Sequence, residues 1–390
     1  MRSSPHTDSV RVLMTGGGTG GHVYPAIAIA DAIRELRPHA RVAFAGSRDR
    51  MEWDAVPRAG YPIHEVAVQG LCRSFSAANL KLPLILAKGF RQARDVVEGT
   101  GAQVVVGTGG YVALPVLLAA WSLNAAILIQ EQSAYLGLTN RVASRFADRI
   151  HVAFAEAADA LLPRPSQVSG NPVRSGLTEV TARGREAARE KLGMSAMRRV
   201  VFVFGGSLGS SALNDAMQSA LPHLMADPDL GILWQTGVTR YDAVRAALDG
   251  EAGTPAGASL REDATSGRIQ IVPYVDDMAT AYAAADLVVA RSGALTCSEL
   301  LVTGRPSLLI PSPNVTADHQ AKNAHSMERM GASEVLSETE LEASLSGTLL
   351  HLLGSQAALD AMSRAALAAA RPRAAHTIAM DVIAMAEGEA

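Results

Sequence analysis

Cysteine is nearly absent: Cys72 and Cys297 are the only two in 390 residues. They lie far apart without metal-ligand spacing, which excludes a disulfide-stapled scaffold or a zinc ribbon and reads most simply as free thiols in a reducing cytosol. Aromatics make up 4% of the chain and neither sign of charge dominates, with 35 Lys and Arg against 38 Asp and Glu. That balance points to no nucleic-acid partner and no polyanionic substrate. Uninterrupted apolar runs are lacking too. The longest, "YVALPVLLAAWSLNAAILI", is broken by proline, serine and asparagine, which suits a buried α/β core and not a membrane span. The opening "MRSSPHTDSV" has no apolar h-region, so no signal peptide is expected. The protein is expected to be cytosolic and soluble, or held at a membrane only by its surface.

What is present is a regular alternation. Apolar, β-branched runs ("RVLMT", "RVAFAG", "IHEVAV", "QVVVGTGG", "AAILIQE", "RIHVAF") alternate with amphipathic stretches, and the series restarts with "RVVFVFGG", "GILWQTG", "RIQIVPYV", "DLVVARSG" and "PSLLIPSP". Short apolar strands joined by helical crossovers predict an α/β chain of parallel sheets covered on both faces. The length exceeds one ordinary core. "LLPRPSQVSGNPVRSG" reads as the junction between two domains, and "DGEAGTPAGASLREDATSGR" as a surface loop in the second. Each half opens with a strand, a glycine-rich turn and a helix, so two Rossmann-like domains would place a ligand cleft at the carboxyl ends of both sheets.

The first of these turns, "TGGGTGGHV", has five glycines in six positions. Glycine permits positive φ and close backbone approach, and the helix start behind it offers unpaired N–H groups and a partial positive charge. Such a loop sits against phosphate or a polar ligand, or is simply a tight turn. Gly16, Gly18 and Gly21 also fit the dinucleotide pattern G-x-G-x-x-G, but that fingerprint expects a carboxylate at the end of the second strand. Here the strand ends "FAGSRD", with Ser47 and Arg48 at its tip; Arg48 would suit a 2′-phosphate.

Together, "GGGTGGHVYPA", "GTGGYVALP", "GLTNR", "GNPVR", "GGSLGSSALN", "RSGALTCSELL" and "HQAKNA" run in order from about Val12 to about Ala324. As an ordered set they resemble the MurG family of N-acetylglucosaminyltransferases, which convert lipid I to lipid II in bacterial cell-wall synthesis. The resemblance implies the GT-B arrangement of two Rossmann-like domains, inverting transfer from UDP-N-acetylglucosamine, and neither cofactor nor metal. It implies an acceptor and membrane-associating domain over residues 1–173 and a donor-binding domain over 174–373. A C-terminal helix, 374–390, would pack back on the first domain. The alternatives are an isomerase such as a UDP-N-acetylglucosamine 2-epimerase, an NADP-dependent oxidoreductase, and a nucleotide-sugar sensor without turnover.

The same resemblance implies the site. Amides of Ala294, Leu295 and Thr296 would face the diphosphate and sugar, Glu299 the ribose hydroxyls, and Ser207 a phosphate. Arg174 would contact the nucleotide, the backbone of Val275 would read uracil, and Gln320 would contact the sugar, with Asn323 nearby. Taken as residues alone, Glu299 also suits a helix-start carboxylate, Ser207 an N-cap, and Arg174 a solvated charge. Thr19, Gly20, Gly21 and Tyr111 would line the acceptor side, while Glu131 and Asn140 belong with the sugar site. One departure is "QEQS" where the family often has "HEQN", which puts Ser133 in place of an asparagine.

Transfer requires a base for the acceptor hydroxyl, and histidine titrates where that task is done. His22, following the glycine loop, matches the base proposed for the family; alternatively it caps or packs on the first helix. Helix-start amides and hydroxyls suffice for the leaving diphosphate. Asp227 and Asp229 form a D-x-D around a proline, which reads as a turn. "LKLPLILAKGFRQAR" mixes Leu82, Leu84, Ile85, Leu86 and Phe90 with Lys81, Lys88, Arg91 and Arg94, as an anionic membrane surface or a half-buried helix requires. The lipid-linked acceptor favours peripheral attachment at the cytoplasmic face of the cell membrane.

Overall fold

The structure is a computed structural model that describes residues 9–68, 82–174, 176–180, 184–206, 209–250, 262–263, 266–315 and 318–389; the side chains of 82–86, 179, 249 and 250 fall outside that description. The chain divides into two compact units, residues 1–174 with 371–390, and residues 175–370. Arg174, expected to open the second domain, closes the first, where its guanidinium lies 5.3 Å from the centre of the Tyr24 ring.

In the first unit seven parallel strands run β1 (Arg11–Gly16), β2 (Arg41–Gly46), β3 (Ile63–Glu65), β4 (Val104–Gly109), β5 (Ala126–Glu131), β6 (Arg149–Val152) and β7 (Gln167–Val168). Their order across the sheet is β3-β2-β1-β4-β5-β6-β7. The apolar side chains of β1 point to both faces. Leu13 joins a core with Val105, Ile127 and Leu117, and Met14 joins another with Val106, Ile29 and Ile33. Burial on both faces is why these strands read as continuous apolar runs. The helix Ala374–Glu387 completes the second of those cores through Ile378, Val382 and Ile383. At its ends Arg37 pairs with Glu387 at 2.9 Å and His376 with Glu35 at 3.1 Å.

The second unit repeats the pattern with β8 (Arg199–Phe204), β9 (Leu230–Gln235), β10 (Ile269–Val272), β11 (Leu287–Ala290), β12 (Ser307–Leu309) and β13 (Ser333–Val335), in the order β10-β9-β8-β11-β12-β13. Its largest fully buried side chain is Trp234, whose indole N–H donates to Asn214 Oδ1 at 3.1 Å, while Asn214 donates to the Thr236 carbonyl at 2.9 Å. The indole is buried without an orphaned donor.

Both sheets therefore have the doubly wound order in which strand sequence reverses between two neighbours: β1 and β4 in the first, β8 and β11 in the second. Ligands of such sheets bind outside the carboxyl ends of the strands at that reversal. The eleven expected strands form, and β7 and β13 are additional. Each is two or three residues long at a sheet edge, too short to leave a period in the sequence.

Candidate functional site

The reversal of the first sheet is where two glycine turns meet. β1 ends in Gly16 and β4 in Gly109, and the Gly17 N–H donates to the Gly109 carbonyl at 3.3 Å. Gly110 lies at φ +85°, and a Cβ there would come 2.3 Å from the Gly17 carbonyl oxygen. A Cβ on Gly16 would meet Thr108 Oγ1 at 1.9 Å. These two backbones touch, and side chains are given up so that they can. Beyond the contact, exposed Thr19 is the N-cap of the helix Gly20–Leu36 and makes no side-chain cap, so the amides of Gly20 and Gly21 begin an open helix N-terminus. Tyr111, 65% exposed, projects from the second turn.

His22 stands in the first turn of that helix, half-buried. Its Nδ1 lies 2.9 Å from the Thr108 carbonyl and 2.9 Å from Gln132 Oε1, and the Thr108 hydroxyl donates to the His22 carbonyl at 2.8 Å. The ring is thus fixed from β4 and from the turn after β5, and is not a helix cap.

A residue that sequence reasoning missed shapes the loop. Glu52, 1% exposed, accepts the Gly18 N–H at 3.0 Å and the Ser47 N–H at 3.2 Å. A Cβ on Gly17 would strike its carboxylate at 2.4 Å. Glu52 opens the helix Glu52–Arg58 after β2, and its carboxylate is turned onto the loop's own amide. Arg48, with its side chain 66% exposed, pairs with Glu65 at 3.2 Å and lies 5.6 Å from the Trp53 ring centre. The occupied Glu52 carboxylate disfavours the oxidoreductase alternative. Glu52→Ala should cost about 1–3 kcal/mol by orphaning these donors; a lower melting temperature in calorimetry checks it.

The turn after β5 is held by two of the expected residues. Glu131, 4% exposed, accepts the Ser133 N–H at 3.1 Å and the Gly137 N–H at 2.9 Å. Asn140, 2% exposed, donates its amide to Glu131 Oε2 at 3.0 Å and to the Gln130 carbonyl at 3.1 Å. Both brace the turn through these bonds, and the Asn140 Oδ1, also buried, has no hydrogen-bond partner among the described residues. Ser133 is half-buried beside them.

In the second unit, β11 ends at Ala290 and Gly293 caps the helix Ala294–Thr303 by backbone alone, with no side chain in the cap position. Ala294, Leu295 and Thr296 form its half-buried first turn. Glu299, one turn on, is buried and accepts from the Tyr282 hydroxyl at 2.9 Å. Gln320 uses its Oε1 to accept the Ser312 N–H at 2.9 Å, and its carbonyl accepts from Ser292 Oγ at 2.8 Å. Asn323 is fully buried, donating to the Ser292 carbonyl at 3.1 Å, which makes it a brace of this turn. The Val275 N–H donates to Gln235 Oε1 at 2.9 Å. Ser207 lies outside the described residues. The N-cap of the following helix is Ser210, which accepts the Leu213 N–H at 3.3 Å and also takes Arg291 Nη2 at 2.6 Å.

Asp227 Oδ1 accepts the Asp229 N–H at 2.9 Å, the geometry of a turn. In the helix Leu82–Thr100, Lys88 and Arg91 are exposed. Phe90, expected on the membrane-facing side, instead packs against the core. The side chains of Leu82, Leu84, Ile85 and Leu86 lie outside the described residues.

Comparison with known proteins agrees over nearly the whole chain. The glycosyltransferase family 28 N-terminal domain matches residues 12–152, and the C-terminal domain of the same family matches residues 200–378. A UDP-N-acetylglucosamine–N-acetylmuramyl-(pentapeptide) pyrophosphoryl-undecaprenol N-acetylglucosamine transferase of Salinibacter ruber is 51% identical over 98% of this chain and 98% of its own. One of the same name from Bacteroides thetaiotaomicron is 35% identical over 97% of this chain and 99% of its own. Among solved structures, MurG of Acinetobacter baumannii superimposes with a TM-score of 0.76 at 29% identity, covering 96% of this chain and 99% of that one. A UDP-GlcNAc 2-epimerase of Neisseria meningitidis superimposes at 0.65 with 12% identity over 95% of this chain and 99% of that one, a likeness of fold alone.

Proposed function

The chain belongs to glycosyltransferase family 28, among its UDP-N-acetylglucosamine–N-acetylmuramyl-(pentapeptide) pyrophosphoryl-undecaprenol N-acetylglucosamine transferases, and from that premise we infer that it moves N-acetylglucosamine from UDP-N-acetylglucosamine to lipid I in peptidoglycan synthesis. The observation that carries the reading is the coincidence of the family's motifs with both sheet reversals. The glycine turns and His22 stand at one, and the uncapped helix Ala294–Thr303 at the other.

In the reaction the muramyl 4-hydroxyl oxygen forms a bond to the anomeric carbon as the bond from that carbon to the diphosphate breaks. The electron pair leaves with UDP, the hydroxyl proton passes to His22, and the anomeric configuration inverts. The amides opening the helix Ala294–Thr303 meet the growing negative charge on the diphosphate, aided by the helix dipole. Glu299 is the ribose-side carboxylate, Gln320 turns its amide to the sugar, and Arg174 lies toward the nucleotide. Thr19, Gly20, Gly21 and Tyr111 line the acceptor.

A lipid-linked acceptor implies work at the cytoplasmic face of the cell membrane. The exposed Lys88 and Arg91 beside an apolar run support contact with an anionic surface. Among the described residues no helix is long and apolar enough to cross a membrane.

The test is acceptor dependence. Incubated with UDP-N-acetylglucosamine, the protein should release UDP only when a lipid I analogue is added. An epimerase would act on the nucleotide sugar without the acceptor, and a sensor would release nothing. For the donor site, Glu299→Ala should weaken UDP-N-acetylglucosamine by about 1.5–3 kcal/mol, the worth of a hydrogen bond to a charged group. A donor analogue without ribose hydroxyls should be much less affected; calorimetric titration showing equal losses would remove Glu299 from the ribose.

A further inference from the structure

We propose that Gln132 is a positioning residue: its side-chain amide fixes the tautomer and direction of the His22 ring, leaving Nε2 as the atom that takes the acceptor proton. The proposal rests on the reading of His22 as the base and adds to it which nitrogen works and what holds it so.

The argument starts from the amide. Gln132 is 2% exposed, so its donors and acceptor must be met inside the protein. Its Nε2 lies 2.8 Å from the Thr108 carbonyl and 3.1 Å from the Gln130 carbonyl, and also within bonding distance of Gln130 Oε1. All three are acceptors. If the amide were turned over, its oxygen would face three oxygens, so the NH₂ end must point there. The Oε1 end is thereby committed to His22 Nδ1, at 2.9 Å. Gln130 is held in turn, its Nε2 donating to Asn171 Oδ1 at 2.8 Å, and Asn171 closes the ring by donating to the Gln132 carbonyl at 2.9 Å.

Two acceptors now converge on Nδ1, Gln132 Oε1 and the Thr108 carbonyl, each at 2.9 Å. An unprotonated Nδ1 would set three lone pairs against one another in a half-buried site. The proton therefore belongs on Nδ1, and in the neutral ring the lone pair belongs on Nε2, since one nitrogen donates and the other accepts. Among the described residues Nε2 makes no hydrogen bond. Both groups hydrogen-bonded to the ring side chain are uncharged.

The experiment uses the full chain. Histidine labelled with ¹⁵N should show His22, identified by its loss in His22→Ala, as the neutral Nδ1–H tautomer in the wild type. Gln132→Met keeps the volume and removes the acceptor, and a thermal melt and UDP titration confirm a folded protein. We expect turnover to fall about tenfold with donor KM within about twofold, and the ¹⁵N spectrum to show His22 losing its single Nδ1–H tautomer. In a His22→Ala background, Gln132→Met should have no further effect. An Nε2–H tautomer in the wild type, or a Gln132→Met loss that persists undiminished without His22, overturns the positioning role while leaving the base reading intact. Near-normal turnover in His22→Ala alone overturns the base reading, and the positioning role with it.

Discussion

His22→Ala should lower turnover by about 10²–10⁴-fold, the usual contribution of a positioned base, while leaving donor affinity unchanged. The ring is held within the first unit, on the Thr108 carbonyl and Gln132 Oε1 at 2.9 Å each, whereas the helix Ala294–Thr303 belongs to the second. Its loss therefore removes a proton acceptor without disturbing the groups assigned to UDP. Steady-state kinetics, with UDP titration calorimetry, measure both. A variant with near-normal turnover would reduce His22 to a structural part of the helix start.

Gly110→Ala should have a comparable effect for a different reason. Gly110 sits at φ +85°, where an L side chain is strained by about 1–2 kcal/mol, and its new Cβ would lie 2.3 Å from the Gly17 carbonyl oxygen. The partner is backbone, so no rotamer change relieves the contact and the two turns must part. Thr108, which holds His22, is two residues from the strain, and a shift of about 1 Å in such a site can cost 10²-fold. The expected result is a loss of about that size in turnover, with a lower melting temperature and UDP affinity retained. A variant with wild-type kinetics and melting would mean that the turns need not touch.

How much of this was legible in the sequence differs between fold and site. Strands buried on both faces announce themselves as apolar runs, and so do the glycine turns where backbones must approach. The edge strands Gln167–Val168 and Ser333–Val335 are too short and too polar to leave such a mark. The site was legible where a motif is local: His22 after its loop, and Ala294 to Glu299 on one helix start. It was not legible where topology brings distant residues together. Glu52 reaches Gly18 across 34 positions and Gln132 reaches His22 across 110, and each looks unremarkable in its own neighbourhood. A motif also names a position without its orientation. Asn140 and Asn323 are buried and each donates to a backbone carbonyl, and the Val275 N–H donates to Gln235 Oε1.

Product analysis after incubation with UDP-N-acetylglucosamine labelled in the sugar and a lipid I analogue, using NMR to read the new linkage, follows the sugar from UDP to the muramyl 4-hydroxyl. Label should appear in a β-linked disaccharide on the lipid carrier, with one UDP released for each, and no product should form when the 4-hydroxyl is replaced by hydrogen. Label left in free sugar or in an epimerised nucleotide sugar, with the lipid carrier unlabelled, would contradict that transfer.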